Sequence, residues 1–184
     1  MARKSLKKRK SGVYDYYNAI SGSYDELHGK EQIGKLKVIE KVIMPEKNDL
    51  LLDVGCGTCL SFDFFKCNVK GVEPSKEMVL KHPKADFLLG KHVFVCGAED
   101  LKKFFGEKSF DFVICVTVAH HFIDAEESFL NMADAGKDDC VFVFSLLKDS
   151  GNYGLCVNII NKLFQVFEIR EVHRDKLFFC RKKR

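Results

Sequence analysis

Long apolar runs are missing from this 184-residue sequence, and none of them approaches the ~18 residues that a membrane-spanning helix needs. The first ten residues contain no apolar signal-peptide core, because six of them are Lys or Arg. Internal repeats and linker-like segments are also absent, and the length suits one domain. We therefore expect an intracellular, cytoplasmic protein with no membrane partner. Residues 7–10 (KKRK) would serve as a nuclear localisation signal in a eukaryote.

A second CxxC pair is also lacking. Cys56 and Cys59 have the spacing of a zinc pair or a redox dithiol, but a tetrahedral zinc site needs two more ligands, and no other closely spaced Cys or His pair is present. Others of the eight cysteines lie in apolar runs, as Cys115 and Cys140 do, where cysteine behaves as a small hydrophobic residue. We predict no metal site and no disulfide framework.

Acidic residues are absent from both ends of the chain. Residues 1–10 contain six basic residues and residues 181–184 contain four, so the net charge of +4 leaves residues 11–180 at −6. A block of like charges is typical of a disordered arm that can approach RNA or another polyanion. A solubilising tail is an equally good interpretation. We predict a basic disordered arm over 1–12 and a single domain over 13–184.

Helical and strand patterns alternate along the rest of the sequence. Strands are predicted over 49–55, 68–74, 92–96, 109–118, 140–147, 167–173 and 176–182. Helices are predicted over 31–44, 60–65, 75–82, 124–136 and 153–163, with Pro45 ending the first. Strands that are apolar almost throughout indicate an α/β fold, a doubly wound and mostly parallel sheet covered on both faces. The last two strands form an antiparallel hairpin, which makes the sheet mixed.

Glycines and acids stand where ligands bind in such a sheet, at the carboxyl ends of the strands. Gly55 and Gly57 follow the first strand, and Glu73 ends the second, where a carboxylate can accept both ribose hydroxyl hydrogens. No Lys follows the glycines, which argues against a P-loop, and Leu60 interrupts the dinucleotide fingerprint. S-adenosylmethionine suits the site better, because Asp53 matches its charged amino-acid end.

Four segments resemble the motifs of class I S-adenosylmethionine-dependent methyltransferases of the type 11 group. They are LLDVGCGT (51–58), GVEPSKEMV (71–79), CGAEDL (96–101) and SFDFVICVTVAHHF (109–122). The resemblance implies a Rossmann-like methyltransferase fold of seven strands in the order 3-2-1-4-5-7-6, with strand 7 antiparallel. It also implies S-adenosylmethionine as the cofactor. Cys59 stands where the family usually has a third glycine, and Gly97 stands where an acid usually contacts the adenine amino group.

The predicted cofactor-binding residues combine the strand-end residues with positions that the resemblance adds. They are Tyr24, Asp53, Gly55, Cys56, Gly57, Glu73, Pro74, Ala98, Glu99 and Val116. Tyr24 either faces the cofactor or packs in the interior. His120 and His121 are interpreted as packing beside the cofactor rather than as bases, and no catalytic residue is assigned. Methyl transfer needs none, because the protein mainly aligns the acceptor and excludes water.

Three functions, two enzymatic and one non-catalytic, fit these observations. We predict first a methyltransferase acting on RNA or another macromolecule, because both ends of the chain are basic. A methyltransferase for a small metabolite comes second, and a non-catalytic partner subunit with this fold comes third. The segment CVTV (115–118) replaces an NPPY-like tetrapeptide after the fourth strand, which argues against methylation of exocyclic base amino groups or glutamine amides.

Overall fold

A seven-stranded mixed sheet organises the chain. The computed structural model describes residues 17–19, 21–22 and 24–183, so the predicted arm over 1–12 lies outside the described residues. The strands are β1 (Leu50–Val54), β2 (Asn68–Val72), β3 (Val93–Phe94), β4 (Phe110–Val116), β5 (Gly136–Leu147), β6 (Phe164–Val172) and β7 (Asp175–Lys182). Their order is β3-β2-β1-β4-β5-β7-β6, and β7 runs antiparallel to both of its neighbours. The predicted strand order and direction are confirmed.

Six α-helices and two short 3₁₀ helices connect the described strands. The α-helices are α1 (Tyr24–Ile43), α2 (Leu60–Phe64), α3 (Lys76–Val79), α4 (Ala85–Leu88), α5 (Ala125–Ala135) and α6 (Tyr153–Leu163). The 3₁₀ helices are Ala98–Lys103 and Ala119–His121. None of these helices is long and apolar enough to cross a membrane.

The central strands are apolar on both faces because each face contacts a separate layer of helices. In β1, Leu51 packs with Ile39 of α1, whereas the next residue, Leu52, belongs to the cluster around Phe129 of α5. Successive side chains of a strand point to opposite faces, so an uninterrupted apolar run fills both layers. The predicted doubly wound arrangement follows from this pattern.

Several helix boundaries differ from the predictions. Helix α1 begins at Tyr24, seven residues before the predicted start, and still ends just before Pro45. The predicted helix over 75–82 is shorter, because Pro83 disfavours helical backbone at the residue before it, and a second short helix, α4, follows. Short elements of this kind have too few residues for an apolar period to be visible in the sequence.

Two strands also begin earlier than predicted. Strand β5 starts at Gly136, which ends α5 and pairs directly with Phe110 of β4. Strand β6 starts at Phe164, which follows α6 without a loop and packs against Phe142 and Phe144. The predicted third strand, in contrast, is reduced to two residues. Apolar packing at the amino edge of the sheet therefore makes β5 and β6 longer than the apolar runs that are visible in the sequence.

Candidate functional site

The loop after β1 lies at the carboxyl edge of the sheet and is closely packed. Gly55 and Gly57 have φ angles of 80° and 55°, a region that residues with a side chain rarely adopt. The amides of Gly55 and Cys56 both donate to the carbonyl of Val72, at 2.8 and 3.1 Å. A Cβ atom at Gly55 would lie 2.5 Å from Val118 Cγ2, so the turn after β4 leaves no space for a side chain there.

The cysteine pair follows in the same loop. Cys59, which stands at the third-glycine position of the motif, has a φ of 65° and is fully buried, so it adopts the conformation that a glycine would favour. A Cβ atom added at Gly71 would lie 2.8 Å from Cys56 Sγ, and the two sulfur atoms are 3.9 Å apart. The sulfhydryl contact with Cys59, together with burial, raises the pKa of Cys56 well above its usual range. Packing is thus the observed role of Cys56, and its predicted cofactor contact stays a prediction.

Two buried carboxylates lie at the carboxyl ends of the neighbouring strands β1 and β2. Asp53 is 5% exposed and accepts a 2.5 Å hydrogen bond from the Ser61 hydroxyl. Glu73 is 7% exposed and accepts hydrogen bonds from the amides of Gly57 and Ser75, at 3.0 and 2.9 Å. Burial raises the pKa of Asp53 to about 6 and that of Glu73 to about 7. Among the described residues, neither carboxylate forms an ion pair with Lys, Arg or His.

Polar contacts tie the N-terminal part of the described chain over the site. The Tyr17 hydroxyl lies 2.7 Å from Nε2 of His121, and the Ser75 hydroxyl donates to Asn18 Oδ1 at 2.6 Å. Farther along, the Thr58 hydroxyl of the glycine loop donates to Asp25 Oδ1 of α1, at 2.6 Å. We call Tyr17, Asn18 and α1 the cap.

On the cap side of the cavity, burial keeps His121 and Tyr24 uncharged at neutral pH, whereas Asp53 and Glu73 have pKa values close to neutral pH. Burial, with a smaller contribution from His120, lowers the pKa of His121 to about 4, so this imidazole is neutral at physiological pH. Burial likewise raises the pKa of Tyr24 to about 12, although a hydrogen bond with Gln32 opposes the shift. A neutral imidazole packed in this way agrees with the interpretation of the paired histidines as packing residues. That interpretation stays a prediction.

Most of these groups line one open cavity between the cap and the strand ends, whose interior volume is about 110 Å³. Every predicted cofactor-binding residue lines it: Tyr24, Asp53, Gly55, Cys56, Gly57, Glu73, Pro74, Ala98, Glu99 and Val116. The structure therefore brings all ten together, while their contact with a cofactor stays a prediction.

Other lining residues were not predicted to bind the cofactor, although Thr58, Thr117 and Val118 lie within the motif segments 51–58 and 109–122. They include Tyr17, Gln32, Thr58, Ser61, Thr117 and Val118. The helical period of α1 indicates which face is buried but not that its first half covers a cavity. Ser61 lies in the helix after the glycine loop, and only the fold shows that its hydroxyl meets the Asp53 carboxylate.

The chemistry of the cavity fits S-adenosylmethionine. The two buried carboxylates have no cationic partner among the described residues, so their ionised forms destabilise the ligand-free protein. A cationic ligand would offset this free-energy cost. Glu73 and Asp53 both line the cavity, and their roles toward the ribose and the amino-acid end stay predictions. The glycine backbone leaves open the close approach that a nucleoside needs.

Comparison with known proteins agrees with this description. The model of the methyltransferase domain family matches residues 52–144. An uncharacterized protein of Methanocaldococcus jannaschii is 29% identical over 142 residues, which are 76% of this chain and 53% of that protein. The chain thus spans about half the length of this curated relative.

Solved structures share the fold at low sequence identity. A complex between the Haloferax volcanii Trm112 methyltransferase activator and a methyltransferase superposes with a TM-score of 0.74 at 14% identity, covering 91% of this chain and 98% of the other. Magnesium protoporphyrin IX methyltransferase of Synechocystis, solved with bound S-adenosylmethionine, gives 0.71 at 17% identity, covering 95% and 97%. Since the family model covers half of the sequence and the strand order agrees, the chain belongs to the class I S-adenosylmethionine-dependent methyltransferases, in the methyltransferase domain family.

Proposed function

We propose that this chain transfers a methyl group from S-adenosylmethionine to RNA or to another polyanionic macromolecule. One observation carries the choice of acceptor. The predicted basic arm ends at residue 12, and only five residues later Tyr17 contacts His121 at the cavity. An extended chain covers at most about 3.6 Å per residue, so a phosphate held by Lys10, seven residues before Tyr17, would lie within about 25 Å of the cavity.

Different residues of the chain bind the cofactor and position the acceptor. When bound, the cofactor supplies an activated methyl group on a sulfonium sulfur. Glu73 holds the ribose and Asp53 the amino-acid end, while Gly55 and Gly57 let the backbone approach the ligand. The cap covers the cavity and excludes water, so that the acceptor is positioned next to the methyl group in a dry site.

The carboxyl-terminal basic residues have a different position. Arg181 donates to the carbonyl of Asp139 at 3.0 Å, Lys182 donates to that of Gly136 at 2.7 Å, and Lys183 donates to that of Asn161. These contacts lie at the amino edge of the sheet, opposite the cavity. We therefore assign recruitment to the arm and not to residues 181–184.

Deletion of residues 1–10 tests this proposal, with replacement of Arg181 and Lys183 by Gln as the matched control. Removing six positive charges should flatten the slope of log RNA affinity against log salt, by about 0.7 for every phosphate that the arm no longer neutralises. The control should keep the wild-type slope, and cofactor affinity should change in neither variant. Unchanged methylation of the natural acceptor after removal of the arm and of residues 181–184 would contradict the proposal.

A small planar metabolite is the second candidate acceptor. The cap side of the cavity is aromatic and neutral, with Tyr17, Tyr24, His121 and Phe122 among its lining residues. Such a surface suits a planar ring, whether it is free or part of a nucleotide. Incubation with labelled cofactor and cell extract separates the candidates: RNA label is removed by ribonuclease, protein label by protease, and metabolite label passes a size filter.

A further inference from the structure

A buried charge cluster lies beside the cavity and is not explained by cofactor binding. The Lys35 side chain of α1 is fully buried, and its ammonium lies 2.7 Å from the Thr117 hydroxyl and 3.0 Å from Asp175 Oδ2. The same ammonium lies 2.7 Å from Oε1 of Glu31, a half-exposed residue one turn earlier in α1. Asp175 is also fully buried, and it accepts hydrogen bonds from the hydroxyls of Thr117, at 2.6 Å, and Ser145. We call Lys35, Thr117, Ser145 and Asp175 the Lys35 cluster.

Burying the charged groups of the Lys35 cluster costs free energy, so the cluster is a poor way to stabilise the fold. Burial alone would raise the pKa of Asp175, but the hydroxyls of Ser145 and Thr117 and the Lys35 ammonium together hold it below its ordinary value. Its second oxygen, Oδ1, is buried without a partner among the described residues. A buried ion pair of this kind often stabilises a fold no better than apolar side chains of similar volume. Its presence at the site therefore needs another reason.

Thr117 supplies that reason. It follows β4 directly and has a φ of 60°, the left-handed region, which is a true outlier for a β-branched residue. Backbone strain of this kind persists only where surrounding contacts impose it, and it concentrates at functional sites. Four contacts impose it here. The Thr117 hydroxyl bonds with Lys35 and Asp175 and lies 3.5 Å from the Ser145 hydroxyl, and the Thr117 amide donates to the Ser145 carbonyl at 3.1 Å.

The strained residue begins the turn that closes one side of the cavity. Val118, the next residue, is the side chain that fills the space beside Gly55. The 3₁₀ helix Ala119–His121 follows and places His121 and Phe122 in the cavity lining. The backbone angle at Thr117 thus sets the position of the turn formed by residues 117–122.

We propose that Lys35 and Asp175 are positioning residues for methyl transfer, which hold Thr117 in its left-handed conformation and so align residues 117–122 with the reacting groups. The inference rests on the proposed methyl transfer at this site. Neither charged group touches the acceptor, because both act through the Thr117 hydroxyl. Removal of the cluster should therefore release the turn more than it weakens cofactor binding.

Two substitutions at residue 117 test this directly. Thr117→Val removes the hydroxyl but keeps the branched side chain, whereas Thr117→Gly removes both the hydroxyl and the strain. Hydrogen exchange of the amides over 117–122 should be roughly tenfold faster in Thr117→Val than in Thr117→Gly, although glycine is intrinsically the more flexible residue. Equal exchange, or slower exchange in Thr117→Val, would overturn the proposal.

The double variant Lys35→Met with Asp175→Asn extends the test. It leaves no unpaired charge that is fully buried, because the only other partner that it removes is that of the half-exposed Glu31. In the wild-type background, transfer of label to the extract fraction that the wild type methylates should fall about tenfold, while S-adenosylhomocysteine affinity changes less than about threefold. In the Thr117→Gly background, the additional change in exchange over 117–122 should be less than about threefold. If the double substitution changed hydrogen exchange over 117–122 by the same factor in the wild-type and the Thr117→Gly backgrounds, the proposal would be overturned. Exchange needs no cofactor, so a wild-type protein that does not bind S-adenosylhomocysteine would refute the proposed function separately.

Discussion

Acidic side chains near the amino ends of β4 and β5 differ in their partners from those at the carboxyl ends of β1 and β2. At the amino edge the half-buried Asp111 lies 2.6 Å from Lys137, and the exposed Asp138 lies 2.9 Å from Lys108. At the carboxyl edge Asp53 and Glu73 are buried, and neither has a cationic partner in the part of the chain that the structure describes. Exposed pairs contribute about 0–1 kcal/mol each, whereas buried unpaired carboxylates are costly. This difference is the one expected if a cationic ligand binds at the ends of β1 and β2.

The largest expected difference between the two edges concerns glycine. Gly55 at the carboxyl edge and Gly90 at the amino edge both have a positive φ, but of the two only Gly55 has an atom within reach of an added Cβ. Replacing either by Ala should cost about 1–2 kcal/mol of stability through the left-handed backbone. Gly55→Ala should in addition displace Val118 and weaken cofactor binding more than about a hundredfold. Calorimetry on both variants checks this, and equal cofactor affinities would contradict it.

A smaller effect is expected for the acid that we assign to the ribose. Glu73→Ala should weaken cofactor binding by ~1–3 kcal/mol, because it removes charge-assisted hydrogen bonds. Asp138→Ala, which removes an exposed acid at the amino edge, is the matched control and should bind as the wild type does. Wild-type affinity in a folded Glu73→Ala protein would show that Glu73 does not bind the ribose.

The smallest effect is expected for the cysteine pair. Cys56→Ser should leave cofactor affinity within about threefold, since the turn requires only a small side chain against Gly71. Metal analysis of the purified protein accompanies the binding measurement. Stoichiometric zinc that disappears in the Ser variant would refute the packing role.

The sequence predicts the sheet and the acids better than it predicts the cap. Leu51 and Leu52 are both apolar, which indicates a strand covered on two faces, and Glu73 ends such a strand at the expected edge. These signals are local. The bonds between α1 and the strand ends join distant parts of the chain, and Lys35 stands in an amphipathic helix where a lysine is ordinarily exposed. No periodicity signals its pairing with Asp175.

Binding of S-adenosylmethionine at pH 6 tests most directly whether the buried acids are compensated by a cationic ligand. The pKa values of about 6 for Asp53 and about 7 for Glu73 mean that the free protein holds protons on these groups at pH 6. A bound cation favours the ionised forms, so binding should release about one proton per chain at pH 6 and almost none at pH 8. Affinity should rise with pH up to about 7 and then level off. Calorimetric titration in buffers of different ionisation enthalpy measures this release: one site with proton release is the expected result, and binding without release at pH 6, or no binding, would contradict it.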